Sequence, residues 1–203
     1  MKLSSLVLLV GWALFFGSGC QTTHLASQVA PAQGIPGGGK PDRHGYARYD
    51  EFDQLHFVRT TSYTCTEDDH LEYGSNSAAG TPLKYGRVIS VAADWSRYPY
   101  GTVFRMKGVK NRLFYVDDYG SALVGTNTLD IYMPNKKMMN RWGRQDVVIE
   151  IVRWGSWDRS AEILASRLHH PHCRQMAQAI RKQQVTRSKQ LLASIREPGR
   201  RGG

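Results

Sequence analysis

The chain has 203 residues, with 27 Lys and Arg against 17 Asp and Glu and a formal net charge of +10. The excess is local: residues 21–152 hold 15 basic and 14 acidic side chains, whereas residues 153–203 hold 11 and 3. A tail this basic suits contact with nucleic acid, anionic lipid or an anionic polymer, and the N-terminus argues against the first.

Lys2 is followed by Leu3, Leu6 to Val10 and Trp12 to Phe16, an apolar stretch that closes on Gly17, Ser18, Gly19 and Cys20. A basic start, an apolar stretch and small residues read as a secretory signal over residues 1–19. At roughly 14 apolar residues the run falls short of the roughly 20 that span a bilayer. The expectation is an exported chain, not a spanning one, and export removes nucleic acid from its partners. The Gly19–Cys20 junction resembles a bacterial lipobox, which implies cleavage before Cys20 and acylation at that residue. Position 21 is Gln and not Asp, so the expected location is the outer membrane, facing the periplasm. Gly17 stands where the lipobox carries Leu, which leaves ordinary cleavage further on as the alternative. With Cys20 lipidated, Cys65 and Cys173 remain as an even pair in an oxidising compartment. They are expected to form a disulfide or, equally, to be two separate buried thiols.

Residues 20–55 are rich in Gln, Ala, Pro and Gly without apolar periodicity and read as a lipid-anchored flexible tether. Gly34, Gly39 and Lys40 have the spacing of a phosphate-binding loop, but Pro41 replaces the hydroxyl residue that such a loop needs. Residues 56–155 contain six short runs of β-branched and aromatic residues, at 56–62, 88–93, 103–106, 112–116, 129–132 and 147–152, which suggest a barrel. One helix is expected near 134–142, with Pro134 at its first position. From 156 to 203 the period changes to helical, with apolar stripes at Ala161–Leu168, Met176–Ile180 and Leu191–Ile195, and Pro171 dividing the first two. This basic helical extension is read either as a solvated surface or as a contact for anionic polymer or lipid.

The motifs that carry function lie within the strand-rich part. Ser90–Asp94 followed by Tyr98–Thr102, Asp118–Gly125, and Leu129–Tyr132 resemble the three ordered motifs of the three-aspartate (3D) domain. Tyr63, Thr64 and Ala78–Thr81 resemble its opening strand and turn, so the likeness covers about Thr60 to Val152. The resemblance implies a mainly β fold, a six-stranded double-psi β-barrel followed here by a helical segment, as in the catalytic domain of a membrane-bound lytic transglycosylase. It further implies a groove for peptidoglycan glycan strands, with Asp94, Asp118 and Asp130 as its carboxylates. Ser121 departs from the second glycine of the family motif, and one extra residue lies between Thr126 and Leu129.

The residue types fit the chemistry. Glycoside cleavage needs a proton delivered to the leaving oxygen, commonly from a carboxylic acid tuned by burial or a like-charged neighbour. A hydrolase adds a second carboxylate for water, whereas a lytic transglycosylase uses the sugar's own 6-hydroxyl as nucleophile, so one aspartate serves first as acid and then as base. Asp118 is favoured for that role, with Asp130 and Asp94 orienting it. Asp94 alternatively makes an Asx turn before Trp95 and Ser96. Tyr119, Gly120, Tyr63 and Thr81 are the expected substrate contacts, and Asp117 is expected as a solvated neighbour of Asp118 facing the other way. The acidic run Glu67–Glu72 and the group His169, His170, His172 and Cys173 match no metal-ligand spacing, so neither metal nor cofactor is expected. A hydrolytic glycosidase and a non-catalytic peptidoglycan-binding module are the alternatives to the transglycosylase.

Overall fold

The computed structural model describes residues 40–49, 53–66 and 74–196. Six strands, β1 (Leu55–Tyr63), β2 (Val88–Ala92), β3 (Val103–Met106), β4 (Leu113–Asp118), β5 (Thr128–Tyr132) and β6 (Gln145–Arg153), close into a barrel in the order β1-β5-β2-β4-β3-β6. Two of the pairings, β1–β5 and β2–β4, are parallel and the other four antiparallel. The fold is thus mainly β, the six-stranded barrel expected, with helices after it. Each strand lies within about two residues of its sequence run; β4 extends further than expected and carries both Asp117 and Asp118.

Period-two burial explains the closure. In β1, His56, Val58 and Thr60 point inward while Leu55, Phe57 and Arg59 are more exposed. Val58, Val91, Phe104, Phe114, Leu129 and Ile149 fill the interior. Burying each such side chain contributes about 1.5–3 kcal/mol relative to leaving it in water. Gly155, just after β6, is required by close approach: a Cβ there would sit 2.2 Å from the Tyr100 carbonyl oxygen.

Helix α1 (Lys136–Trp142) starts after Pro134, because the Asn135 side chain caps it by accepting from the Met138 N–H. The expected first-turn proline therefore lies just outside the helix. Ser156 caps α2 (Trp157–Ala165) in the same way through the Arg159 N–H. Pro171 begins α3 (Pro171–Arg196), which joins the second and third apolar stripes in one 26-residue helix. No helix among the described residues is long and apolar enough to cross a membrane.

The helical extension shares the barrel's core. Leu164, Cys173, Met176 and Ile180 are fully buried in the same cluster as Trp95 and Val124. Polar contacts fix the junction: the Tyr100 N–H donates to Ser160 Oγ at 2.8 Å, and Gln183 Nε2 donates to the Ser96 carbonyl at 2.8 Å.

Residues 40–49, the far end of the segment read as a tether, are bound to the barrel instead. Asp42 accepts from the Asn127 N–H at 2.6 Å and from the His44 and Tyr46 N–H groups at 2.8 and 3.0 Å. Arg43 donates to the Ala122 carbonyl and Tyr46 to Asp146. The signal segment, Cys20 and the acidic run Glu67–Glu72 lie outside the described residues.

Candidate active site

Strand register brings two of the three aspartates together. Ala92 on β2 lies opposite Asp118 on β4 and opposite Asp130 on β5, and Asp130 in turn lies opposite Thr61 on β1. Thr61, Asp130, Ala92 and Asp118 thus form one row across four adjacent strands. Neighbouring strands are about 4.8 Å apart, which separates the two aspartate Cα atoms by about 10 Å. Alanine is the middle residue of the row, so little side-chain volume stands between the carboxylates.

A bulge sets this row. The β2–β4 register steps from Val91 opposite Val116 to Ala92 opposite Asp118, which leaves Asp117 as the extra residue. Asp117 is not the solvated neighbour expected. It is fully buried, paired with Lys84 Nζ at 2.7 Å, and accepts from Ser90 Oγ at 2.9 Å. Burial pushes its carboxyl above the ordinary range, and Lys84 opposes that shift.

Above the row lies a groove of about 690 Å³. Thr61, Tyr63, Ala92, Asp118 and Asp130 face it from the barrel, and the turns at Asn76–Ala78 and Gly120–Leu123 form its sides. The remaining wall comes from the α2–α3 junction: Arg167, His169, His170 and His172. No family motif contains these four residues, and their approach depends on helix packing. The sequence signal was the Met176–Ile180 stripe, whose burial against the barrel draws the junction over the groove.

The two groove aspartates are held differently. Asp118 is 5% exposed and accepts from Tyr63 O–H at 2.8 Å and from the Ala78 and Tyr119 N–H groups, both at 2.9 Å. Burial and the nearby Asp118 charge push the Tyr63 phenol well above its ordinary value, so it remains a donor. Asp130 is half-buried and accepts from Thr61 Oγ1 at 2.6 Å.

Asp94 lies outside the groove lining. It is 1% exposed, its Oδ1 accepts from the Ser96 N–H at 2.8 Å, and its Oδ2 accepts from the Gly125 N–H at 2.7 Å. These bonds make the Asx turn and tie it to the loop after Leu123. Thr81 is likewise a support: its carbonyl accepts from the Ser77 N–H at 2.8 Å and its hydroxyl meets Ser77 Oγ at 3.1 Å, closing the turn that carries Ser77 and Ala78. Trp95 and Tyr98 are barrel core.

Tyr119 and Gly120 do line the groove. The Tyr119 hydroxyl meets Arg167 Nη1 and Cys173 Sγ, each at 3.2 Å, and its ring packs edge-on against Trp95 at 5.0 Å. Burial, with Cys173 beside it, pushes the phenol up to about 12. The expected Cys65–Cys173 bridge is not present. Both are free thiols engaged elsewhere, Cys65 with the Tyr132 hydroxyl at 3.8 Å and Cys173 with Tyr119. The described residues contain no group of three or more His, Cys, Asp or Glu arranged to hold a metal ion. The His170 ring instead stacks on His172, with centroids 5.4 Å apart, and lies tilted against His169 at 4.0 Å.

The closed barrel thus presents two carboxylates, Asp118 and Asp130, on one open groove. Within the barrel, residues 89–153, from β2 to the end of β6, match the family model of the 3D domain. Among solved structures, the chain is similar to a crystal structure of MltA from Escherichia coli, described as having a unique lytic transglycosylase fold. The identity is 26% over 40% of this chain and 28% of that one, with a TM-score of 0.32. A second MltA structure from the same organism matches at 25% identity over 39% and 28%, with a TM-score of 0.31. The chain therefore spans little more than a quarter of those proteins. Comparison with curated proteins finds no match.

Proposed function

We propose that this protein cleaves the glycan strands of peptidoglycan as a lytic-transglycosylase-like enzyme, with Asp130 as acid and then base. The observation that carries this reading is the row in which Asp130 and Asp118 flank Ala92 on a groove floor, one half-exposed and the other clamped by three donors. The sequence motifs and the 3D-domain match over 89–153 support it. Asp130 replaces Asp118 as the favoured proton carrier because a general acid must reach the leaving oxygen within hydrogen-bond distance. Asp118 has both oxygens occupied, whereas Asp130 is the more accessible.

In this mechanism Asp130 donates its proton to the oxygen between the N-acetylmuramoyl and N-acetylglucosaminyl residues as the C1–O bond breaks. The muramoyl 6-hydroxyl attacks C1, and Asp130, now a carboxylate, takes the hydroxyl proton. The product is a 1,6-anhydro ring, and Asp130 is again protonated. Asp118, fixed by Tyr63 and two backbone N–H groups, supplies negative charge beside the positive charge that develops at C1. Thr61 orients Asp130.

Weighing the soluble products released from sacculi tests the reading. Anhydro products, one water lighter than hydrolytic ones, support it. Hydrated products point to a hydrolytic glycosidase on the same groove, and binding without release points to a binding module. We further propose an outer-membrane lipoprotein anchored at Cys20, on the strength of the apolar run before Gly19. Cys20→Ser is expected to move it to the soluble periplasmic fraction, and unchanged membrane fractionation contradicts the anchor.

A further inference from the structure

The groove carries opposite charge on its two sides. The barrel side presents Asp118 and Asp130, while the α2–α3 junction presents Arg167, His169, His170 and His172. The junction is firmly built. The Arg167 N–H donates to the Leu164 carbonyl at 2.9 Å, the His170 N–H to the Arg167 carbonyl at 3.0 Å, and Arg174 Nη1 to the Leu168 carbonyl at 2.6 Å. Leu164 before it and Met176 after it are fully buried, so both ends of the junction are pinned to the core.

Arg167 is pre-oriented and only partly used. Its Nη1 donates to the Ala78 carbonyl at 2.6 Å and to the Tyr119 hydroxyl at 3.2 Å, and the guanidinium lies 5.9 Å from the Tyr119 ring centroid. Nε and Nη2 make no hydrogen bond among the described residues, and Arg167 makes no ion pair among them. A guanidinium held by one nitrogen, with its remaining donors beside a groove, suits the fork-like recognition of a carboxylate. The half-buried and exposed imidazoles of His170 and His169 add donors alongside it.

We propose that the α2–α3 junction recognises the carboxylates of the peptide stem borne on the muramoyl O3 lactyl group, and so selects anionic, stem-bearing strands over neutral ones. This rests on the glycan-cleaving reading of the groove and names what that groove selects. The acidic floor meets the sugar at the scissile bond, and the basic wall meets the substituent that distinguishes a muramoyl residue from its neighbour. The extension is then part of the substrate site.

The test compares native sacculi with sacculi whose carboxyl groups have been converted to amides, which removes charge with little change in size. Product release and co-sedimentation are both read. Wild type is expected to favour native sacculi about tenfold in both, the scale of one charge-assisted hydrogen bond. Arg167→Gln is expected to bring that ratio close to one, and Arg167→Lys to keep part of it. His169→Glu combined with His170→Glu, at the groove rim, is expected to invert the preference while the unfolding temperature stays near wild type. Equal release and equal sedimentation of native and amidated sacculi by wild type overturns the junction proposal but leaves the enzyme reading intact. Preferential sedimentation without product from either substrate sinks the enzyme reading and keeps the recognition. A charge-reversed rim that retains the wild-type ratio also overturns the proposal.

Discussion

Asp94 is one of three aspartates shared with the family motif, and the two backbone N–H groups its carboxylate accepts predict that it acts as a structural pin. Asp94→Ala removes the acceptors of the Ser96 and Gly125 N–H groups, at 2.8 and 2.7 Å, and leaves Arg97, 3.9 Å away, without its carboxylate. With Asp94 1% exposed, water is poorly placed to replace either bond. Hydrogen bonds to a charged acceptor contribute about 1.5–3 kcal/mol each, so the expected loss for the two is about 3–6 kcal/mol. For a domain of this size each kcal/mol lowers Tm by about 2–4 °C, which gives a drop of about 6–24 °C. Asp94→Asn keeps one acceptor oxygen and is expected to lose about half as much. Thermal unfolding followed by circular dichroism measures this, with product release from sacculi read below the variant's transition. Activity should then fall only as far as the Gly120–Leu123 turn is disordered. If Asp94→Ala unfolds within about 2 °C of wild type yet has lost turnover, the pin is wrong and Asp94 belongs to the chemistry.

Ala92→Val adds two methyl groups between Asp118 and Asp130 on the groove floor. Stability is expected to change by about 1–3 kcal/mol and turnover to fall about 10²-fold, and equal turnover would show that substrate does not enter above this row. Burial raises the Asp42 carboxyl, but the Asn127, Tyr46 and His44 N–H groups outweigh it and hold the group below the ordinary carboxylate range. A carboxyl lowered on folding contributes stability above its unfolded value that is lost as pH falls through the folded one. Asp42→Asn should therefore flatten the acid limb of the stability curve below about pH 4, and an unchanged limb assigns that loss to other groups. Burial also pushes the Cys173 thiol above its ordinary value. Both Cys65 and Cys173 should alkylate in unfolded, unreduced protein, with Cys173 slow in the native state, and failure of both to label would restore the disulfide.

The strands were legible because barrel walls impose period two on the sequence: β1 alternates His56, Val58 and Thr60 inward whatever it pairs with. Asp118 and Asp130 were legible from their motifs. Their juxtaposition was not, because it depends on the bulge at Asp117, which is a property of the β2–β4 pair and not of either strand. The same limit explains Asp117 itself: facing away from Asp118 was readable, but Lys84 beside it was not. Residues 40–49 look like a tether by composition, yet their partners Asn127 and Asp146 are roughly 80 to 100 residues away in sequence. The Arg167–His172 wall escaped for the same reason, since its local sequence says helix start and only the burial of Leu164 and Met176 sets where it lies. The reading of Asp94 as an Asx turn matches the Ser96 N–H that its carboxylate accepts.

The assignment of the chemistry to Asp130, with Asp118 as its fixed partner, is tested most directly by measuring 1,6-anhydro product release from sacculi by wild type, Asp130→Asn and Asp118→Asn in parallel. Asp130→Asn should keep the fold and sacculus binding but lower release about 10²- to 10⁴-fold, the scale of a general acid–base group. Asp118→Asn should also lower Tm, since it removes the charge that Tyr63 and two backbone N–H groups stabilise. Wild-type release of anhydro product by Asp130→Asn would contradict the account.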